Sequence, residues 1–302
     1  MRKSAKVAML IASILCVVGV ITCVVGLFGM ELDFSKLNTQ PTVTNTHEVT
    51  GEFTHISIQT NTADVVFAIS EDDNCHVVCN ETEKLTHSVT VEDDTLVIKT
   101  EDHRKWYDHI GIFIGGSSVT VYLPKYQYGN IAIETDSGDV EMPRDFKFGE
   151  TCVKTDTGDV FWDAIVFGSF RIGTDTGDIT LESMAVTGTL MIETDTGDIC
   201  LDEIQVVDIC VETQSGDVDL RNTVASDSIS IKTDTGDVKF DRSDAASIVV
   251  ETDTGDVTGT LLSEKIFFPE SDAGDIRVPQ SMSGGRCEIR TDTGDIEIEI
   301  VD

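Results

Sequence analysis

The chain has 302 residues and carries 55 Asp and Glu against 21 Lys and Arg, a formal net charge of −34. So acidic a surface repels nucleic acid and anionic lipid, which excludes nucleic-acid partners, and it attracts cations or basic partners. At 40% hydrophobic residues the composition is too apolar for simple disorder, so a folded acidic domain is expected.

In chain order, Arg2, Lys3 and Lys6 precede Val7 to Met30, a run of 24 residues without charge. A bilayer core takes ~20 apolar residues in a helix. A cleavable signal would have a shorter apolar core and a small-x-small site, and Leu15 and Thr22 before Cys16 and Cys23 do not fit a lipoprotein signal. The expectation is an uncleaved signal anchor: residues 1–6 a cytoplasmic tail, 7–30 a single membrane span, and the bulk of the chain extracellular at the cell membrane. Residues 31–46 read as a polar tether.

Residues 47–128 read as irregular amino-terminal rungs and a cap. Ile56, Ile58, Thr60 to Val65 and Phe67 fit the repeat described below, with Ala63 in place of glycine. SVTVEDDTLVIKT and SSVTVYLPKY look like strands around a longer insertion. Within it HRKWYDHIGIFIGGSS, His103 to Ser118, is either an exposed contact loop or a buried cap, and a solenoid's need to shield its ends favours the cap.

Residues 129–302 hold the repeat. A unit Thr-Asp-Thr/Ser-Gly-Asp-Val/Ile begins at Thr135, Thr155, Thr174, Thr194, Thr213, Thr233, Thr252, Ser271 and Thr291, at intervals of 19 or 20 residues. Apolar residues alternate on both sides, as in Leu190/Ile192 before one corner and Ile199/Leu201 after it. A period of two predicts strands with one buried face, so each repeat is strand, corner, strand and return loop. Ile165, Met184, Ile204 and Leu262 are expected to turn inward from the return loops. An antiparallel barrel or propeller with hairpin corners competes, but the near-constant spacing favours an all-β, single-stranded parallel β-solenoid (β-helix) of 19–20-residue rungs. The corner composition follows from backbone geometry: glycine for positive φ, Asp and Thr to bond exposed amides.

IAIETDSGDVEM and its successors, with a DDTLVI strand and a VTVYLP strand before them, resemble the bacterial putative-adhesin β-strand-repeat domain family of unknown function. The resemblance covers about Phe53 to Asp302. It implies a cell-surface β-solenoid, often membrane-anchored, and supplies no catalytic residue.

In-register stacking would set like residues in columns. Asp139, Asp159, Asp178, Asp198, Asp217, Asp237, Asp256, Asp275 and Asp295 form one ladder, and Asp136, Asp156, Asp175, Asp195, Asp234 and Asp253 belong to another. Unit charges ~4.8 Å apart repel by about 0.9 kcal/mol in water. Corner amides, salt or a bound cation would offset this, and calcium suits clustered carboxylates. The candidate calcium residues are therefore Asp136, Asp139, Asp156, Asp159, Asp175, Asp178, Asp195, Asp198, Asp234, Asp237, Asp253 and Asp256.

The six histidines share no metal-ligand spacing and read as surface residues. The cysteines beyond Met30 (Cys75, Cys79, Cys152, Cys200, Cys210 and Cys287) show no CxxC pattern and read mostly as small apolar wall residues. The carboxyl-terminal strand, ending at Asp302, is expected to be an open edge where end-to-end self-association could occur. The functional expectation is a membrane-anchored, acidic, non-catalytic adhesin-like module with a surface-protein, matrix or glycan partner. Alternatives are a calcium-binding rod and a polysaccharide-active β-helix enzyme. The enzyme would need a distinctive carboxylate cluster with a basic residue, and the uniform corners do not supply one.

Overall fold

A strand with one apolar face cannot bury that face alone, whereas a stack of coils buries each against the next. The computed structural model, which describes Gly19 and residues 42–71, 73–106 and 116–301, is such a stack. Residues 1–18, 20–41 and 107–115, and with them the expected tail, span and most of the tether, lie outside the described residues.

One wall consists of Ile131–Ser137, Thr151–Thr157, Phe170–Thr176, Thr189–Thr196, Gln205–Ser215, Val224–Thr235 and Ser247–Thr254, each parallel to its neighbour and in register apart from one shift between Val206 and Asp208. A second wall follows the corner, from Val140–Met142 through Val160–Trp162 to Val257–Leu261, again parallel. A third side is short: Lys147–Phe148 pairs with Ile165–Val166, and single bridges such as Ala185–Gln205 continue it. The fold is thus the expected parallel β-solenoid.

The inward columns fill its axis. Ile133, Val153, Ile172, Ile192, Val211, Ile231 and Val250 are buried along the first wall. Near the amino-terminal end the core is aromatic: Trp162 lies between Phe148 and Phe170, at ring-centroid distances of 5.8 and 4.9 Å. Its indole N–H donates to the Ala164 carbonyl at 3.0 Å, so its one polar group is satisfied. Met184 and Ile204 turn inward from the return loops as expected. Ile165 and Leu262 do not: their neighbours Ala164, Val166 and Leu261 take the core positions, because the short third side shifts which residue of each pair faces in.

In four successive coils the second corner is closed by a left-handed residue other than glycine. Ser183, Glu203, Asn222 and Arg242 sit there with φ of 49°, 56°, 47° and 51°. A left-handed residue closes the corner at a small steric cost, which in-register stacking repeats from coil to coil.

Seven strands build the amino-terminal end: β1 (Thr42–Glu48), β2 (His55–Thr60), β3 (Ala63–Ile69), β4 (His76–Thr82), β5 (Leu85–Glu92), β6 (Thr95–Asp102) and β7 (Ser117–Leu123). β2 and β3 stack parallel on Ile131–Ser137 and Val140–Met142, so the Ala63 copy is a true rung. β6 and β7 continue the two walls in parallel. Beyond them the direction reverses: β5 is antiparallel to β6, β4 to β7, and β1 to β4. β1 takes residues 42–46 out of the expected tether, because its backbone pairs along the edge of β4. The described parts of the His103–Ser118 segment include Trp106, which is 78% exposed; β1, β4 and β5 occupy the end of the stack.

The other end departs from sequence order. Gly285–Thr293 pairs with Ser247–Thr254 on one side and with Lys265–Ala273 on the other. Ile296–Ile300 likewise lies between Val257–Leu261 and Ile276–Arg277. The chain therefore winds one coil outward and returns to insert its last coil beneath it. The carboxyl-terminal strand is interior, not the open edge expected from its position. Composition explains the exchange. Cys287, Ile289, Ile296 and Ile298 suit a coil covered on both sides, whereas Lys265–Ala273 contains Pro269, which lacks an N–H and belongs at an edge.

Candidate functional site: the acidic corner ridge

Three columns meet at the glycine corner. The leading threonines, Thr135, Thr155, Thr174, Thr194, Thr213, Thr233, Thr252 and Thr291, are buried beneath it. Where geometry allows, the hydroxyl donates to a glycine carbonyl in the adjacent coil, as from Thr291 to Gly255 at 3.1 Å. The glycines come next. Gly197 has φ +152°, and a Cβ there would overlap the carbonyl of Gly177 one coil away. Positive φ and close backbone approach both demand glycine.

The second aspartates form a bonded ladder. The amide of Asp159 donates to Asp139 Oδ1 at 2.9 Å, that of Asp178 to Asp159 at 2.8 Å, and that of Asp198 to Asp178 at 2.8 Å. The series continues through Asp217, Asp237 and Asp256. It then passes to Asp295 and last to Asp275, following the exchanged coil order. Every carboxylate of this ladder from Asp139 to Asp295 except the terminal Asp275 thus satisfies a corner amide, while the amides of glycine and of the following Val or Ile bond the coil on the opposite side, as Gly177 does to Thr196 and Ile179 to Asp198. A hydrogen bond to an ionised acceptor contributes about 1.5–3 kcal/mol, less where water competes, and this is at least as large as the repulsion of about 0.9 kcal/mol between neighbouring rungs. The corner amides are therefore the principal offset in the structure.

All twelve candidate calcium residues are exposed, and the structure sets them in two columns along one edge. Asp139, Asp159, Asp178, Asp198, Asp237 and Asp256 spend one oxygen on the ladder. Of the first column (Asp136, Asp156, Asp175, Asp195, Asp234 and Asp253), Asp195 accepts a bond from Gln214 Nε2 at 2.7 Å, where glutamine replaces the aspartate. Among the described residues the corner carboxylates form no group of three whose oxygens lie within 4.8 Å of one another.

Beside the ridge, the first wall shows an outward column of Glu134, Lys154, Gly173, Glu193, Glu212, Lys232 and Glu251. Gly173 has no side chain to continue it, and a groove of about 450 Å³ opens there, bordered by Lys154, Asp175, Glu193, Asp195, Glu212 and Lys232. A periodic sequence hides this feature, since the signal is a single missing side chain within a repeat.

Two classes of side chain differ from expectation. His87 is 4% exposed and bonds the buried Glu81, so it is not a surface histidine; the reversal at β4 and β5 turns it inward. Cys75, Cys79 and Cys287 are buried, whereas Cys152 is exposed and Cys200 and Cys210 are half-buried. Burial pushes the Cys75, Cys79 and Cys287 thiols up to about 12, which keeps them protonated at neutral pH while no cation is bound.

The model of the Toastrack DUF4097 family matches residues 53–299, and the chain belongs to that family. Among solved structures, a "putative adhesin" from Bacteroides fragilis shares 14% identity at a TM-score of 0.50, covering 86% of this chain and 98% of its own. A "putative adhesin" from Parabacteroides distasonis shares 12% identity at a TM-score of 0.45, covering 74% and 98%. A "putative lipid binding protein" from the same species shares 14% identity at 0.32, covering 74% and 98%. At such identities the first shows a common fold, and the other two bear no further argument. No curated protein matches the chain.

Proposed function

From its place in the Toastrack family, we propose that the chain is a non-catalytic interaction module of the cell surface, held at the membrane by residues 7–30 and offering its acidic ridge to a cationic partner. The observation that carries this reading is the pair of exposed carboxylate columns along one edge of the solenoid. The ladder bonds fix the second column at the spacing of the coils. Repeated charge at a fixed interval is a multivalent surface, so weak contacts to a protein, matrix or glycan bearing positive groups add up. The adhesin description of the Bacteroides fragilis structure points the same way.

A second reading follows from the first column, whose carboxylates at Asp136, Asp156, Asp175, Asp234 and Asp253 receive no protein hydrogen bond among the described residues: calcium bridges the ridge to another acidic polymer. One experiment separates the two. Cells displaying the full chain are tested for retention on polycation-coated and polyanion-coated surfaces, with and without calcium, beside a variant with Asp136, Asp156, Asp175, Asp195, Asp234 and Asp253 changed to Asn. The main reading expects calcium-independent retention on the polycation, weakened by salt and by the variant. Retention on the polyanion that requires calcium supports the second. Equal retention by both chains on every surface refutes both.

A further inference from the structure

Inside the cap, β4 and β5 bring together three side chains of different donor chemistry. Cys79, Glu81 and His87 are 0%, 2% and 4% exposed, and one ligand atom of each lies within 4.8 Å of the other two. A buried carboxylate is costly unless its lone pairs are met. Here they are: Oε1 accepts from Asn45 Nδ2 at 2.6 Å, and Oε2 accepts the His87 amide at 2.7 Å. Oε2 also lies 2.9 Å from His87 Nδ1, which favours the tautomer with its proton on Nδ1. Nε2 is then left with a lone pair, and it is buried without a hydrogen-bond partner. A purely structural His–Glu pair accounts for the Nδ1 contact but gives the basic Nε2 nothing to bind.

We propose that Cys79 and His87, with Glu81 holding the imidazole from behind, form a buried binding site for a borderline-soft divalent cation of the zinc class. The donor set decides the class. A thiolate and an imidazole are poor ligands for calcium or magnesium and good ones for zinc, and a carboxylate that orients the imidazole through Nδ1 raises its basicity toward a metal. His47 lies nearby on β1, outside the group of three. It faces Val77 across the β1–β4 register, on the same side as Cys79 and Glu81, and its Nε2 is likewise buried without a partner. In the ion-free state burial, then the charge of Glu81, pushes the Cys79 thiol up to about 12; a bound cation reverses that and displaces the thiol proton to solvent. Asn45 ties β1 to Glu81, so occupancy would also fasten the outermost strand to the cap. The site differs from the corner ridge in place, burial and chemistry, and it does not depend on the function proposed above.

The test is titration of the full chain, first stripped by a chelator, with Co²⁺ as a spectroscopic probe and then Zn²⁺ as competitor. The expected result is one tightly bound equivalent, a thiolate-to-cobalt charge-transfer band, and displacement by Zn²⁺. Cys79→Ser should abolish the band, Glu81→Gln should weaken binding by about 10–100-fold, and Cys287→Ser, which removes a buried thiol at the opposite end, should change neither. Circular dichroism establishes that each variant is folded. If Cys79→Ser does not fold, the parent spectrum decides. Cobalt bound without a thiolate band, no tight equivalent at all, or undiminished binding by folded Cys79→Ser and His87→Gln chains would each overturn the site.

Discussion

Between Ile131 and Leu261 every coil lies on the one that precedes it in sequence; at the two ends this order fails. The carboxyl-terminal end tucks Gly285–Thr293 beneath Lys265–Ala273, and the amino-terminal end turns antiparallel at β4, β5 and β1. An interior coil has a partner on both faces and can be wholly apolar inside. An end coil has one, and its outer backbone groups and inner side chains must tolerate water. Phe267 and Pro269 are only partly covered for this reason, and Phe268 beside them is 50% exposed, while Val250 and Ile289 in the coils beneath are fully enclosed. Position in the stack, rather than position in the repeat, decides what a residue is worth.

The largest expected contrast is between aromatic residues of the two regions. Trp162→Ala empties a fully buried site between Phe148 and Phe170 and should cost about 3–5 kcal/mol. Phe268→Ala removes a half-exposed ring stacked on the Arg286 guanidinium and should cost about 1 kcal/mol. Denaturant midpoints of the two variants measure the difference directly; equal losses would mean that the outer coil is as enclosed as the centre.

Glycine sharpens the same comparison within two adjacent coils. Gly197→Ala must accept φ +152° and a Cβ overlapping the Gly177 carbonyl, so a loss of about 2–5 kcal/mol is expected. Gly173→Ala, whose Cβ would meet nothing nearer than the Glu193 carbonyl oxygen at 4.0 Å, should be neutral or stabilise by about 0.5–1 kcal/mol while shrinking the groove beside it. Thermal melting of the pair checks both signs.

Much of this was legible in the letters. A 19–20-residue period with alternating flanks requires stacked coils, and the corner glycines announce the ridge. The coil exchange was not legible from the period, because repeats alike in sequence are interchangeable neighbours. Its one signal was Pro269, two residues before the Ser271 corner, where the other repeats carry Ile or Val. The reversal at the cap was hidden because alternation marks a buried face without marking direction. Asp93 and Asp94, both left-handed at φ 46° and 66°, form the two-residue hairpin between β5 and β6, and an Asp-Asp pair flanked by alternating residues was a hint of it. The second corners, with Ser183, Glu203, Asn222 and Arg242, gave no common letter to find. The burial of His87 was hidden for the same reason as the cap: it depends on a strand direction that the sequence does not state.

A smaller contrast lies between the two aspartate columns. Asp198→Ala removes the acceptor of the Asp217 amide and should cost about 1–2 kcal/mol, as loss of a helix cap does. Asp253→Ala takes away a carboxylate that accepts no protein bond among the described residues, and relief of repulsion should leave stability unchanged or slightly higher. Urea midpoints at low and high salt distinguish them: the first loss persists in salt, and the second effect fades. Loss of equal size at both positions would mean that the ladder bonds contribute nothing beyond the charge.

The least energetic prediction tests the coil order itself. Arg290 donates to Glu270 at 2.6 Å across one coil boundary and stands in register with Glu251 across the other. Such exposed pairs are screened by water and salt, so Arg290→Ala should lower the midpoint slightly and only at low salt. Cysteine pairs at these positions read the topology with far more contrast. Adjacent coils bring Cα atoms within ~4.8 Å, inside the limit of about 7 Å for a disulfide, whereas two coil steps exceed it. Glu251→Cys with Arg290→Cys should therefore oxidise to a bridge, and Glu251→Cys with Glu270→Cys should not. The opposite outcome would place Lys265–Ala273 directly on Ser247–Thr254 and return the chain terminus to the outer edge. The reason given for Pro269 would then fail as well, since a proline would occupy an interior coil.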